Sequence, residues 1–131
     1  MSHTAWVELA EVKPSQLYLS SEKLTAVMNW FDFDGPTFGP LPVFEYEGET
    51  YLADGHTRAF VAHLAGCMKL PVTYDPEIRT SDDFPVYVEC IDWCAEEGVE
   101  TIPDLSGRVL SPEAYDVEWI DRCHRLATRL D

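Results

Sequence analysis

The sequence predicts a mixed α/β (α+β) fold that ends in a helical C-terminal part. The first half alternates strand-like and helix-like segments in the order strand, helix, two strands, helix, strand, which is typical of a layered α/β arrangement. The second half holds two long segments with helical spacing. A length of 131 residues fits one domain. We therefore expect a single domain over residues 1–131, with a core at about 6–75 and a helical part at about 82–131.

The chain should begin with a strand and an amphipathic helix. WVELAEV alternates partly, as a half-buried strand does, before Lys13-Pro14 breaks the pattern. Ser20 or Ser21 is then available as the N-cap of a helix in SSEKLTAVMNWF. The apolar residues of this segment recur at i, i+3, i+4 and i+7: Leu24, Val27, Met28 and Phe31.

A hairpin, a second helix and a short strand follow. Glycines and prolines in DFDGPTFGPLP end the first helix, and an extended segment should begin near Pro42. PVFEYEGETYLAD predicts a hairpin that turns at Glu47-Gly48. HTRAFVAHLAG is apolar nearly all round, which predicts a central, buried helix that ends at Gly66. KLPVTYD is typical of a short strand.

The C-terminal half is predicted to be helical. Beyond the Pro- and Asp-rich segment YDPEIRTSDD, helical spacing predicts a helix in DDFPVYVECIDWCAEEG that stops at Gly98. A last helix should begin at Ser111-Pro112-Glu113 and carry its arginines near its C-terminus, where they suit the helix dipole. Between these helices, VETIPDLSGRVLS should be a loop with one short strand.

The charge of the chain excludes some classes of partner. Asp and Glu number 24 against 9 Lys and Arg, which gives a formal net charge of -15. Such a field should repel DNA and anionic membranes. No apolar run reaches the ~20 residues needed to cross a bilayer, and MSHTAWVELAEV lacks the features of a signal peptide. We expect a cytoplasmic protein with reduced cysteines that binds neither DNA nor membrane. An anionic ligand would need a local site.

The segment Asp54-Gly55-His56-Thr57-Arg58 lies at a predicted strand-to-helix junction and is the candidate site. The start of a helix has unpaired backbone N–H groups and a partial positive charge, so it can bind phosphate. Gly55 lets a ligand approach the backbone, Thr57 offers a hydroxyl, and Arg58 can form paired hydrogen bonds with phosphate oxygens. Asp54 could hold a metal ion, a sugar hydroxyl or a substrate proton. The alternative is a structural junction, in which His56 or Thr57 caps the helix and Arg58 pairs with an acid.

VKPSQLYLS, EKLTAVMNWF and GPLPVFEYEGETYLADGHTRAFVAHLAGCMKLPVTY together resemble the ParB/sulfiredoxin-like domain, over roughly residues 6 to 75. In that family a strand, a helix and a hairpin lead to a Gly-x-x-Arg box that opens a buried helix. Gly55 and Arg58 match the box common to the branches, and Asp54 and His56 match its variant in the free-serine-kinase-like branch. The resemblance implies a ParB/sulfiredoxin-like mixed sheet with helices, and a box that binds nucleotide phosphate.

The resemblance also implies roles for single residues. The residues that would bind ATP, ADP or another nucleotide with Mg²⁺ are Gly55, His56, Thr57 and Arg58. Asp54 and His56 would act at the reacting end. His56 stands where sulfiredoxins have their catalytic cysteine, so sulfiredoxin chemistry is not expected. The Glu-Arg-Arg box and the basic DNA-binding region of ParB proteins are absent from the sequence. Glu11 and Glu22 are available in place of the kinases' catalytic glutamate, but neither lies in a matching motif, so enzyme status stays open.

Two classes of function remain. The first is binding of a nucleotide or another phosphate-bearing small molecule at residues 55–58, with phosphotransfer to a small hydroxyl compound as its catalytic form. The alternative is a non-enzymatic interaction module whose acidic surface recognises a basic protein. An Arg58 side chain paired inside the protein would favour the alternative.

Cysteine and histidine spacing raises the question of a zinc site. Structural zinc usually shows Cys-x-x-Cys spacing, and cysteine is among the most buried residue types. We therefore expect core thiols and no zinc. The groupings concerned are Cys90 with Cys94, His63 with Cys67, and Cys123 with His124.

Overall fold

A five-stranded mixed sheet forms the centre of the fold. The structure, a computed structural model, describes residues 4–35 and 38–130. The strands of this sheet lie in the order β1-β6-β4-β5-β2. Their bounds are Thr4–Glu8 for β1, Val12–Lys13 for β2, Leu41–Tyr46 for β4, Glu49–Leu52 for β5 and Lys69–Tyr74 for β6. The mixed α/β class predicted from the sequence is thus confirmed.

The predicted hairpin forms the centre of this sheet. β4 and β5 pair antiparallel, with Val43 opposite Leu52 and Tyr46 opposite Glu49. The turn lies at Glu47-Gly48, as predicted, with φ of 50° and 81°. β6 then lies parallel to β4 and antiparallel to the edge strand β1. The end of the hairpin at Leu52 leads directly to the Asp54–Arg58 segment.

A second, two-stranded parallel sheet joins the two halves of the chain. It pairs β3, Leu19–Ser20, with β7, Val109–Leu110. β7 is the short strand predicted for the loop between the C-terminal helices. The single strand predicted in WVELAEV is divided into β1 and β2 by a 3₁₀ turn at Leu9–Glu11. β3 lies after Lys13-Pro14, where no strand was predicted.

The helices begin and end close to the predicted residues. They are α1, Ser21–Trp30; α2, His56–Leu64; α3, Phe84–Glu96; α4, Pro112–Tyr115; and α5, Asp121–Leu130. A π-helical segment, Asp116–Ile120, connects α4 to α5. Ser20 caps α1 and Ser111 caps α4, each accepting a hydrogen bond from a backbone N–H of the first turn. In the loop between α1 and β4, Pro36 and Thr37 lie outside the described residues.

One hydrophobic core includes side chains from both halves. α2 contributes its middle, Ala59 to Ala62, as expected for a central helix, although Leu64 near its end is exposed. In the C-terminal half, residues 112–130 contribute Tyr115, Trp119 and Leu126, and α3 contributes Cys90, Trp93 and Cys94. The described helices include none that is both long and apolar enough to cross a membrane.

The amphipathic helix α1 is less buried than its spacing predicts. Leu24 and Val27 are half-buried, Met28 is exposed, and Phe31 is buried just after the helix ends. Trp30 and Phe33 are also exposed, so this end of α1 presents aromatic surface to solvent. Sequence spacing gives the face of a helix, but tertiary packing determines how much of that face is covered.

Candidate functional site

The start of α2 leaves backbone donors free. Gly55 occupies the N-cap position, and the N–H of Ala59 donates to its carbonyl over 2.9 Å. The N–H groups of His56, Thr57 and Arg58 come before this first intrahelical bond, and no side chain caps the helix. These donors carry the positive end of the helix dipole. Free N–H donors at the start of a helix are able to bind an anion.

Both the backbone conformation at residue 55 and the side chains around it require a glycine at this position. Its φ is 83°, in the left-handed region that residues with a Cβ rarely adopt. A Cβ placed on it would lie 2.8 Å from Cδ2 of Leu41 and 3.1 Å from Nη2 of Arg58. The Arg58 guanidinium therefore folds back over the bare backbone at the start of its own helix.

All five residues of the predicted box line one cavity of about 310 Å³. We call it the helix-start cavity. Its other walls come from the segment before β3, from α1 and from α4. The lining residues are Gln16, Lys23, Ala26, Val27, Asp54, Gly55, His56, Thr57, Arg58 and Tyr115.

Two cations in this cavity lack carboxylate partners. Within residues 4–35 and 38–130, neither Arg58 nor Lys23 has a carboxylate oxygen within 4.0 Å, whereas Lys69, Arg108 and Arg122 form ion pairs. The Lys23 ammonium lies 5.2 Å from the centroid of the Tyr115 ring. In a chain with 24 acids, two unpaired cations facing one cavity make it locally favourable for an anion.

His56 is held as a neutral imidazole with one unused donor. The side chain is 3% exposed, and its Nε2 accepts a hydrogen bond from the N–H of Ser15 over 2.9 Å. Burial lowers the pKa of His56 to about 4, against an opposing influence of the Asp54 carboxylate. Nδ1 must therefore carry the proton, and this buried N–H has no partner in the described part of the chain. An unpaired buried donor costs about 1–3 kcal/mol.

Tyr115 adds a second neutral donor. Burial is the main cause that raises its pKa to about 12, and the charges of Cys123 and Asp54 act in the same direction. Its hydroxyl accepts a hydrogen bond from Nε2 of Gln16 over 3.0 Å. The hydroxyl keeps its own proton at neutral pH and can donate it to an oxygen in the cavity.

Asp54 is the carboxylate among the cavity's lining residues. The two glutamates that the sequence offered as catalytic groups do not line the cavity. Glu11 borders a separate pocket beside the β4–β5 turn, together with Gly48 and Glu49, and Glu22 is exposed on α1. Neither glutamate is therefore placed to accept a proton from a substrate in this cavity.

Three polar lining residues were not identified from the sequence: Gln16, Lys23 and Tyr115. They lie in the segment before β3, on α1 and on α4, and the packing of α1 against α2 and of α4 against β3 brings them together. Lys23 resembles any solvent-facing lysine of an amphipathic helix, so no local sequence signal distinguishes it.

A second cavity, of about 230 Å³, adjoins the first. It shares Gln16 and His56 with the helix-start cavity and extends between α3 and the last helical segments, at Trp119 and Cys123. A larger cavity, of about 690 Å³, contains Phe44, Tyr74 and Arg79 but none of the predicted box residues. Size alone therefore does not identify the site, because the chemical groups converge in the smaller cavity.

All four cysteines are free thiols. Cys90 and Cys94 are buried on α3, and Cys67 and Cys123 are half-buried. Among residues 4–35 and 38–130, no three His, Cys, Asp or Glu side chains cluster in a way that could hold a metal ion.

Comparisons with known proteins give little that bears on function. No protein-family model matches the sequence, and no curated protein matches it. A solved structure, that of protein Atu1540 from Agrobacterium tumefaciens, is similar with a TM-score of 0.42 and 16% sequence identity. The match covers 56% of this chain and 37% of that one, so the chain spans little more than a third of that protein. Similarity this weak supports no conclusion about fold family or function.

Proposed function

We propose that the helix-start cavity binds the phosphate groups of a nucleotide or a similar small molecule. The proposal rests on the free helix N–H groups lying in the same cavity as Arg58 and Lys23. Neither of these two cations has a carboxylate partner in the described chain. These groups favour phosphate, since N–H donors and cations both contact its oxygens. The resemblance to the ParB/sulfiredoxin-like domain supports the same ligand class.

Each residue has a role in this proposal. The N–H groups of residues 56–58 hold one phosphate, and the Arg58 guanidinium binds its oxygens from the side of Gly55. Lys23, which lies on α1, offsets further negative charge of the ligand. Tyr115 donates a hydrogen bond to a ligand oxygen. His56 contributes its backbone N–H and is not a base, because its side chain is buried and its Nε2 lone pair already accepts from the N–H of Ser15.

The catalytic form of the proposal is a small-molecule phosphotransferase. ATP with Mg²⁺ would supply the phosphoryl group and the charge neutralisation of its oxygens. Asp54 lines the same cavity and is exposed, so it would accept the proton from the attacking hydroxyl of a small acceptor. We place this activity in the cytoplasm, where free cysteines and nucleotides coexist.

A binding screen tests the proposal directly. Thermal unfolding is measured with ATP, ADP, CTP, GTP and pyrophosphate, each with Mg²⁺. A ligand at 100 times its dissociation constant should stabilise the protein by about 2.7 kcal/mol. Incubation of the same ligand with small hydroxyl compounds, followed by detection of phosphorylated product, tests the catalytic form.

Arg58→Ala is the decisive variant. It should weaken the ligand by roughly 1.5–3 kcal/mol, the range for hydrogen bonds to charged groups, and should leave the fold intact because Arg58 has no ion pair in the described residues. Arg79→Ala is the matched control, since it removes one positive charge from the larger cavity away from the box. If both variants weaken ligand binding equally, the loss is due to net charge and not to a specific contact of Arg58.

The interaction-module alternative rests on a different surface. Trp30, Phe33 and Met28 are exposed beside Asp32 and Asp34. A basic protein with apolar side chains would complement this acidic, aromatic surface. If no phosphate compound shifts the melting temperature and Arg58→Ala unfolds the protein, this alternative replaces the phosphate-binding proposal.

A further inference from the structure

Two thiols line the second cavity. Cys90 lies on α3 and Cys123 lies on α5, and both side chains line the cavity of about 230 Å³. α3 and α5 pack against each other. Side-chain hydrogen bonding between the two thiols is the largest influence on the pKa of each. Two cysteines from separate helices are therefore within reach of one another.

The two thiols differ in pKa and in exposure, and these differences give them separate roles in an oxidation reaction. The hydrogen bond from Cys90 lowers the pKa of Cys123, with a further contribution from the Arg122 guanidinium. The same hydrogen bond, followed by burial, raises the pKa of Cys90. Cys123 is half-buried and Cys90 is buried. Cys123 is the more exposed of the two thiols, and a peroxide reaches an exposed sulfur first. Cys123 is therefore the thiol that reacts first, and Cys90 is the one that follows.

The other two cysteines are not placed to take part. Cys94 is buried one turn after Cys90 on α3, and burial raises its pKa to about 12. Neither Cys94 nor Cys67 lines this cavity. They provide matched controls within the same chain.

We propose that Cys90 and Cys123 form a redox-active pair that a hydroperoxide converts to a disulfide. The Cys123 thiolate attacks the peroxide oxygen, the O–O bond breaks, and water leaves after protonation, which gives Cys123 sulfenic acid. The Cys90 sulfur then attacks the Cys123 sulfur, and its proton leaves with the hydroxyl as a second water. Two thiols and one hydrogen peroxide thus give one disulfide and two waters. A dithiol reductant reverses the change.

The proposed reaction uses no group of the phosphate site, although the two cavities share Gln16 and His56. The second cavity, of about 230 Å³, is large enough for a hydrogen peroxide molecule. The sulfiredoxin-type cysteine position is held by His56, so this pair lies outside the region that resembles that family.

The test uses the full-length protein and hydrogen peroxide. Reduced wild-type protein is treated with one equivalent of peroxide, free thiols are alkylated, and non-reduced peptides are mapped by mass spectrometry. The expected result is an intramolecular Cys90–Cys123 link, two hydrogen masses lighter than the free peptides, that dithiothreitol reverses. A limiting dose of alkylating reagent should modify Cys123 before Cys90.

Variants then assign the two roles. Cys90→Ser should leave Cys123 as a sulfenic acid that dimedone traps, Cys123→Ser should abolish the link, and Cys94→Ser and Cys67→Ser should retain it. Wild-type mapping decides the proposal even if Cys90→Ser fails to fold. Wild-type thiols that all remain alkylatable after peroxide, or a disulfide that joins other cysteines or separate chains, would overturn it.

Discussion

His56 connects the buried core to the helix-start cavity, and its protonation should set the stability of the fold in mild acid. Its pKa is lowered from 6.5 to about 4 in the folded protein, so the unfolded chain binds the proton first. The stability linked to His56 is fully present above pH 6.5 and is lost as the pH falls towards 4.

The expected loss over this interval is roughly 3 kcal/mol, at 1.36 kcal/mol for each pKa unit. Chemical unfolding at a series of pH values measures it. His56→Gln should show a smaller loss between pH 6.5 and 4, since glutamine does not titrate, and His63→Gln serves as the control at a half-buried histidine. Parallel curves for wild type and His56→Gln would contradict the assignment.

Gly55 is the residue at which backbone and site requirements coincide. Gly55→Ala should destabilise the protein by about 1–3 kcal/mol, from the left-handed backbone and from crowding of Leu41. It should also weaken phosphate binding, because the new Cβ displaces the Arg58 guanidinium.

Gly107→Ala separates the two causes. Gly107 has a similar φ of 79°, but its Cβ would meet nothing within 4 Å, so this variant carries the backbone cost without the crowding. Calorimetry of both variants with a bound nucleotide provides the comparison. Equal stability losses and unchanged binding in Gly55→Ala would show that the contact with Arg58 is unimportant.

At the scale of elements, the helical segments of residues 112–130 complete both the core and the site. Tyr115, Trp119 and Leu126 are buried, and Tyr115 also lines the helix-start cavity. A chain that ends after Leu110 loses all three. Since each large buried side chain is worth about 2–5 kcal/mol, their sum is comparable with the ~5–15 kcal/mol stability of a typical domain.

The truncated chain should therefore lose its cooperative unfolding transition, as measured by near-ultraviolet circular dichroism during heating. A chain that ends after Ala127 is the control, because residues 128–130 are exposed and should contribute little. A sharp, wild-type-like transition in the shorter chain would show that the first half folds alone.

Local sequence signals predicted most elements but not how the site is assembled. Ser20, Ser111 and Glu47-Gly48 gave correct helix starts and a correct hairpin turn, since caps and turns depend on the residues within a few positions. The break between β1 and β2 and the strand β3 were missed, because segments of two or three residues show no periodicity. The π-helical segment before α5 was missed too, because its helical spacing resembles that of an ordinary α-helix.

The same distinction applies to the candidate site. The box at residues 54–58 is contiguous, so its position at a helix start could be predicted. The presence of Lys23 and Tyr115 beside it depends on contacts between elements far apart in sequence, which no local pattern encodes. The burial of His56, and hence its neutral state, likewise depends on distant segments such as the backbone of Ser15.

At the scale of the whole molecule, the net charge of -15 opposes binding to polyanions, while the helix-start cavity provides a local exception. Duplex DNA should therefore not bind measurably at physiological salt, because no net counterion release favours it. Fluorescence anisotropy with a labelled random duplex measures this. Salt-sensitive binding at low micromolar protein would contradict the expectation.

The central claim, that the start of α2 holds phosphate, is tested most directly by nuclear magnetic resonance of the backbone amides. Isotope-labelled protein is titrated with Mg²⁺ and the nucleotides, and the amide signals of His56, Thr57 and Arg58 are followed. The account predicts saturable shifts that are largest at these three amides and much weaker in Arg58→Ala. Unchanged signals at these amides with every nucleotide, or shifts confined to the cavity around Phe44 and Arg79, would contradict it.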